Sequence, residues 1–196
     1  MIPRWIAVLA VASVLLALPA CADNQESAVS TPTSKPTTTT AKLVMADDIP
    51  VAHTPTGGYG DTFPEPILTT CTEPLVAGAP DLRGMWKTVA AEKGGVPVPA
   101  DSKVYRHVQR VEQCGNRLVV TGGGVIHDMR VDGTAENGVH DVLESDYTTP
   151  IVVVATYENG VHVLRPVGVP VEVTRHLEGD KLIWNYLGTK VTLARV

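Results

Sequence analysis

The chain has 196 residues, a formal net charge of −5 and a sequence pI near 5.6, a length that allows one domain with additional segments. The net negative charge argues against nucleic acid as a partner, because phosphate binding needs a basic surface. Aromatic residues make up only 5% of the chain, whereas Gly (17) and Pro (15) are frequent, and this predicts many turns and a flexible segment.

The first 20 residues have the pattern of a signal peptide. Arg4 precedes an apolar run, Trp5 to Leu18, which has about the length of a signal-peptide core and is short for a bilayer span. The next residues complete Leu18-Pro19-Ala20-Cys21, which resembles the lipobox of bacterial lipoproteins. The resemblance implies cleavage before Cys21, acylation of its thiol and anchorage at the extracytoplasmic face of the cell membrane. An ordinary signal peptide and an uncleaved span are the alternatives.

A change of composition separates the N-terminal signal from the rest of the chain. Residues 21–66 are rich in Ser, Thr and Pro and include the run Thr37-Thr38-Thr39-Thr40. Such a segment has too few apolar side chains to offset the entropy lost on ordering. We therefore predict a disordered tether, whose Thr and Pro content also suits O-glycosylation, followed by a folded domain over residues 67–196.

The folded domain shows short Val-rich runs that alternate with turn signals such as Asp-Gly and Asn-Gly. No sustained helical period is present, so the pattern predicts an all-β domain of eight to ten antiparallel strands, arranged as a small barrel or a sandwich. A barrel of this size is filled by its own side chains or holds one small ligand. The predicted strands are 83–91, 104–113, 117–121, 124–131, 138–144, 150–157, 160–165, 169–177, 181–187 and 190–196.

The two ends of this domain carry a family resemblance. The first strand contains Gly84-Met85-Trp86, a G-x-W motif, and the last predicted strand carries Arg195 next to the final residue. This combination resembles the calycin superfamily of lipocalins and fatty-acid-binding proteins. It implies that Trp86 closes one end of a barrel with Arg195 stacked on it, in a structural role. The two-helix lid of fatty-acid-binding proteins has no counterpart here, and the overall pattern also resembles actinobacterial cell-envelope lipoproteins.

The three cysteines divide into one anchor and one pair. With Cys21 lipidated, Cys71 and Cys114 remain as an even pair in an oxidising, exported setting. We therefore predict a Cys71–Cys114 disulfide that attaches the end of the tether to the barrel. A zinc site is not expected, because two single cysteines without C-x-x-C spacing lack the ligand pattern.

Alternation along the strands selects the residues that face the interior. His127 shares a face with other apolar positions of its strand, Trp184 shares one with Tyr186, and Arg175 lies on the strand before them. Fatty-acid-binding proteins hold a carboxylate with inward Arg and Tyr side chains, so the resemblance implies this role for Arg175 and Tyr186. The alternation adds His127 and Trp184 as possible ligand-lining residues. A solvent-facing Arg175, a rim position for Tyr186, a core role for His127 and a narrow, Val-filled interior remain open as alternatives.

No catalytic motif, cofactor site or metal site is predicted, and Gly122-Gly123-Gly124 is interpreted as a bend. The leading hypothesis is a non-enzymatic, membrane-anchored barrel that binds a lipid or another small apolar ligand. The alternative is a structural or protein-interaction domain of the cell envelope. An enzyme is the third hypothesis and would need a cleft that gathers titratable groups.

Overall fold

The computed structural model describes residues 43–196, which form an antiparallel all-β structure with two short 3₁₀ helices, Ala46–Asp48 and Lys103–Arg106. Within this range, none of the helices has the length and apolar character needed to cross a bilayer. The strands are β1 (Gly84–Lys93), β2 (Val96–Pro97), β3 (Val108–Cys114), β4 (Arg117–Gly122), β5 (Val125–Arg130), β6 (Val139–Val142), β7 (Pro150–Glu158), β8 (Val161–Pro166), β9 (Val173–Glu178), β10 (Lys181–Tyr186) and β11 (Thr189–Arg195).

The strands form a single sheet that curls into a nearly closed barrel. Ten of them are hydrogen-bonded in the order β5-β4-β3-β1-β11-β10-β9-β8-β7-β6, and β2 adds a short hairpin to β1. The two end strands, β5 and β6, lie against each other without a shared ladder. We call this line of contact the seam. The predicted all-β barrel is therefore confirmed.

Each of the ten predicted strands has a counterpart, and the two large differences have local causes. The strand expected from residue 104 starts at Val108, because a 3₁₀ helix capped by the Ser102 side chain precedes it. The strand expected from residue 169 starts at Val173, since Pro170 lacks the N–H that a central strand donates. The short strand β2 was not predicted.

Side chains pack on both faces of part of the sheet. The inner faces of the strands supply the main core, which includes Trp86, Leu118, Leu182 and Leu193. A second apolar cluster covers the outer face of β3, β4 and β5, where Val119 and other residues pack against the chain that precedes the barrel. Every residue of β4 is consequently buried, the polar residues of its outer face included.

The second cluster corrects the predicted tether. Residues 43–71, which we call the strap, run along the outside of the barrel instead of remaining free in solution. Ala46 and Leu68 of the strap are buried, and Tyr59 donates its backbone N–H to Gly124 O at 3.0 Å. The prediction of disorder up to residue 66 counted apolar side chains, but most of the strap's attachments use its backbone.

Arg117 provides the strongest of these attachments. Its side chain and that of Asp128 are each only 1% exposed, and the two are joined by Nε–Oδ1 and Nη2–Oδ2 contacts of 2.8 and 2.6 Å. The remaining guanidinium hydrogens reach strap carbonyls, those of Ala46, Ile49 and Pro50, at 2.6 to 2.8 Å. All five donors are used, so burial of this charge leaves none of them unsatisfied.

Three of the predicted features lie outside the described residues: the signal peptide over residues 1–20, the acylated Cys21, and the tether as far as residue 42. They stay predictions.

Candidate functional site

One end of the barrel is closed by packed side chains. Trp86 is fully buried there and donates its indole N–H to Leu82 O at 2.8 Å. The guanidinium carbon of Arg195 lies 4.2 Å from the centroid of the Trp86 ring, and Arg195 also donates to the carbonyl of Arg83. Gly84 has φ +139°, and a Cβ there would collide with the Arg195 side chain. The motif residues thus form a structural plug, with the glycine making room for the arginine.

The opposite end holds a pocket of about 480 Å³. It lies among the β1–β2 hairpin, the Lys103–Arg106 helix, the β6–β7 connection and the ends of β10 and β11. The volume is in the range of small-molecule sites. The apolar part of its lining comes from Val98, Val104, Trp184 and Val191, whereas the polar part comes from Lys93, Ser102, Lys103, His107, Glu144, Ser145, Tyr186 and Thr189.

Arg175 projects into the barrel interior from β9 and is 6% exposed, so the solvent-facing alternative does not hold. Its guanidinium carbon lies 5.5 Å from the centroid of Trp184, which lines the pocket. Nε donates to Gln109 Oε1 at 3.3 Å, while Nη1 is buried with no partner among the described residues. Burial lowers the pKa of Arg175 to about 10, opposed by the nearby Glu144 carboxylate. The side chain is therefore a buried cation at neutral pH.

Trp184 and Tyr186 lie on β10, the strand next to the one that carries Arg175. The Trp184 ring stacks on His107, with centroids 4.7 Å apart, and on Tyr186, with centroids 5.1 Å apart. Tyr186 is 38% exposed, so it lies at the rim of the pocket, as the alternative interpretation expected. Burial lowers the pKa of His107 to about 4, with a further contribution from Arg175. His107 is thus a neutral, aromatic part of the pocket wall.

His127 faces the interior from β5, but it lies beside the seam and does not line the pocket. Its Nε2 is 3.1 Å from Val142 O on β6. Burial is the largest influence on its pKa, which lies below the usual range despite the Val142 hydrogen bond. The structure thus places two of the four predicted residues, Trp184 and Tyr186, in the pocket lining. Arg175 lies behind Trp184, and His127 lies on a neighbouring wall.

Glu144 is one of the residues of this region that the sequence analysis did not single out. Burial raises its pKa, and attraction to Arg175 opposes that shift. The carboxyl group occupies the space above Gly123, where a Cβ would collide with it. Gly124 similarly admits the ring of Tyr147, whose hydroxyl donates to Gly123 O at 3.1 Å. Gly123 and Gly124 form the β4–β5 turn after Gly122 ends β4, and their missing side chains let the β6–β7 connection approach.

Several buried polar atoms near Arg175 lack partners among the described residues. They include Nε2 of Gln109, Nε1 of Trp184 and both ring nitrogens of His162. His162 is the ladder neighbour of Arg175 and is fully buried. Buried polar atoms are normally hydrogen-bonded, so this group is unusual. In the sequence, only the alternation of inward and outward side chains along each strand could have identified this group, because it places Gln109 and His162 on inner faces among apolar residues.

The predicted disulfide is confirmed. Cys71 and Cys114 are joined with their Cα atoms 6.2 Å apart, and the bond attaches the end of the strap to the end of β3. Glu73 lies close to both sulfurs. Because the sulfurs are bonded to each other, this cluster could offer a metal only the Glu73 carboxylate.

A second hollow of about 440 Å³ lies outside the barrel, between the strap and the β5–β6 connection. Its lining mixes Asp47 and Glu136 with Arg130, His53 and His140, and Arg130 is already paired with Asp47. We place the candidate site in the barrel instead, because only there does a buried cation lie without a carboxylate within ion-pair distance among the described residues.

Comparison with known proteins gives a likeness of fold. No protein-family model matches the sequence, and no curated protein matches it. Among solved structures, the chain is similar to human cRBP IV, at 16% identity and a TM-score of 0.46, over 59% of this chain and 98% of that one. It is also similar to the zebrafish ileal bile acid-binding protein in complex with cholic acid, at 19% identity and a TM-score of 0.43, over 58% and 98%. Likenesses at this level say nothing of what this chain binds.

Proposed function

We propose that the barrel binds a small amphipathic ligand whose anionic group pairs with Arg175. The observation that carries this proposal is the guanidinium itself, buried among apolar strands with one weak hydrogen bond and an unpartnered Nη1. A buried charge that makes no ion pair costs several kcal/mol, and Glu144 acts on Arg175 only from beyond ion-pair distance. An anion at this position would recover much of that cost, since a charge-assisted pair is the strongest hydrogen-bonded arrangement available to arginine.

The neighbouring atoms support an oxygen-rich head group. Gln109 Nε2 and Trp184 Nε1 are donors without partners, and they lie on the two residues that contact the Arg175 side chain. A carboxylate accepts several hydrogen bonds at once and suits a cluster of donors. The apolar remainder of the ligand would lie toward the open end, against Val98, Val104 and Val191.

The test measures binding of a dansyl-labelled undecanoic acid to the full chain by fluorescence titration. In Arg175→Gln we expect affinity to fall about ten- to a hundredfold, as expected for the loss of a hydrogen bond to a charged group. Arg165→Gln is the matched control, because Arg165 lies on the neighbouring strand but pairs with Glu158 and Glu172 on the exposed side. It should bind like the parent.

The methyl ester of the same probe isolates the head group. It should bind the parent weakly and be insensitive to Arg175→Gln. Equal affinity of acid and ester for the parent would contradict the role of Arg175. A parent chain that binds neither probe would favour the alternative of a non-catalytic structural or protein-interaction domain.

We also propose that the chain is a lipoprotein anchored through Cys21 at the extracytoplasmic face of the cell membrane, on the basis of the Leu18–Cys21 pattern alone. More than one acyl chain on a single residue would give stable attachment, where one chain binds only reversibly. Radiolabelled palmitate should enter the parent protein in cells and not Cys21→Ser. Equal labelling of both would rule out this anchor.

A further inference from the structure

The seam between β5 and β6 is joined by isolated contacts instead of a ladder. Near the closed end, Arg130 N–H donates to Asn137 O at 2.7 Å. From the interior, the His127 ring reaches Val142 O. An antiparallel pair would otherwise bond at every second residue along its length, so part of this boundary depends on groups from elsewhere.

The strap supplies such groups from outside the barrel. The Ile126 N–H on β5 donates to Thr54 Oγ1 at 2.8 Å, and the Thr54 N–H donates to Asp141 Oδ2 on β6 at 2.9 Å. One strap residue therefore connects both edges of the seam. The Asp141 side chain is 5% exposed, so the β6 end of the connection is shielded from water, and the two part-buried bonds take the place of missing ladder bonds.

Two arginines hold the strap on either side of this connection. Arg117 binds the carbonyls up to Pro50, as described above, and Arg110 on β3 donates to the carbonyls of Pro64 and Glu65 at 2.8 and 3.1 Å. Residues 52–60 lie between these two clamps, and we call them the flap. The flap is attached by four hydrogen bonds, two through Thr54 and one each through Ala52 and Tyr59, and the last two residues also pack against the second apolar cluster.

We propose that residues 52–60 are a flap that closes the seam from outside, and that lifting it between its two fixed clamps opens a lateral route into the barrel. The seam runs past His127, which faces the interior, so an opening there would reach the same lumen as the pocket. The contacts of Thr54 with both edges are enough to support the closing of the seam, whereas the passage of a ligand rests on the proposed function.

Hydrogen–deuterium exchange of the full chain tests the closure. In Thr54→Val, which removes Oγ1 and keeps the N–H, exchange of the Ile126 amide should accelerate about two- to tenfold, as the loss of one neutral hydrogen bond predicts. Thr54→Ser should restore the parent rate. Thr69→Val is the matched control, because the Thr69 hydroxyl bonds within the strap, to Pro66 O. Unchanged exchange at Ile126 in Thr54→Val would overturn the proposal.

Stopped-flow binding of the dansyl-labelled undecanoic acid tests the route. Thr54→Val should raise association and dissociation rates together, by a similar two- to tenfold factor, and leave the equilibrium affinity unchanged, because Arg175 is untouched. If Thr54→Val accelerates hydrogen–deuterium exchange at Ile126 but leaves the association rate of the probe unchanged, the lateral route is overturned. Failure of the parent to bind the probe would instead contradict the proposed function, and the exchange rates would then decide the closure by themselves.

Discussion

The buried pair of Arg117 and Asp128 should be the most costly polar interaction to break in the described part of the chain. In Arg117→Met, the apolar length of the side chain is kept and the charge is removed. Asp128 would then remain buried with Oδ1 and Oδ2 deprived of two short contacts, and three strap carbonyls would lose their donor.

The size of the effect follows from the burial. Removal of one partner from a buried ion pair costs about 3–5 kcal/mol, because the remaining charge is uncompensated. The three strap carbonyls that lose their donor add less to this cost, because the strap backbone can rearrange and let them hydrogen-bond to water. Asp128 also keeps one bond from Ala52 N–H at 2.9 Å, which places the expected loss in the lower half of that range.

Urea unfolding of the parent and variant measures this loss as a change in the midpoint at constant slope. Arg83→Met is the matched control: Arg83 pairs with Asp81 at 2.6 Å with both side chains more than half exposed, so its loss should cost less than about 1 kcal/mol. The double variant Arg117→Met, Asp128→Leu should be more stable than Arg117→Met alone. A loss of unfolding free energy below about 1 kcal/mol in Arg117→Met would refute the conclusion that Arg117 clamps the strap.

Two further predictions concern the disulfide and acid stability. Replacing Cys71 and Cys114 by Ser should lower the free energy of unfolding by about 4 kcal/mol, the chain-entropy value for a separation of 43 residues; an unchanged urea midpoint would contradict it. Burial lowers the pKa of His162 to about 3, so below about pH 6.5 the unfolded chain binds a proton at this residue that the folded chain does not, and stability should drop by up to about 1.4 kcal/mol per pH unit. His162→Gln should reduce this slope by up to one proton's share, with the share of His107 and His127 retained, whereas the same change at exposed His140 should leave it as in the parent.

The barrel was predictable because its signals are local. Val-rich alternation and Asn-Gly or Gly-Asp turns specify strands and hairpins with few long-range contacts, and positions such as Trp184 and Tyr186 follow from the period of two. The sequence allowed both an inward and a solvent-facing Arg175. It could not decide between them, because both faces of that strand carry a mixture of polar and apolar residues.

The strap was not predictable for a different reason. Its attachments join atoms far apart in sequence, such as Arg117 and the Ala46 carbonyl, and backbone groups carry no residue-specific signal. Composition alone made residues 43–66 resemble a linker. Even β4 gave no sign of the cover, because the charged Arg117 suggests a solvent-facing position, whereas the structure buries both Arg117 and Val119 on the outer face.

The position of the Arg117 clamp also has a mechanical consequence. Arg117 holds Ala46, Ile49 and Pro50 upstream of the flap, and Val44 is bound to Thr72 next to the disulfide. A pull on Leu43 would therefore load these contacts first, and the force would pass into β4 and the cross-link. The flap is insulated from tension in the preceding chain, so its opening can respond to what enters the barrel and not to movement of the chain that leads to it.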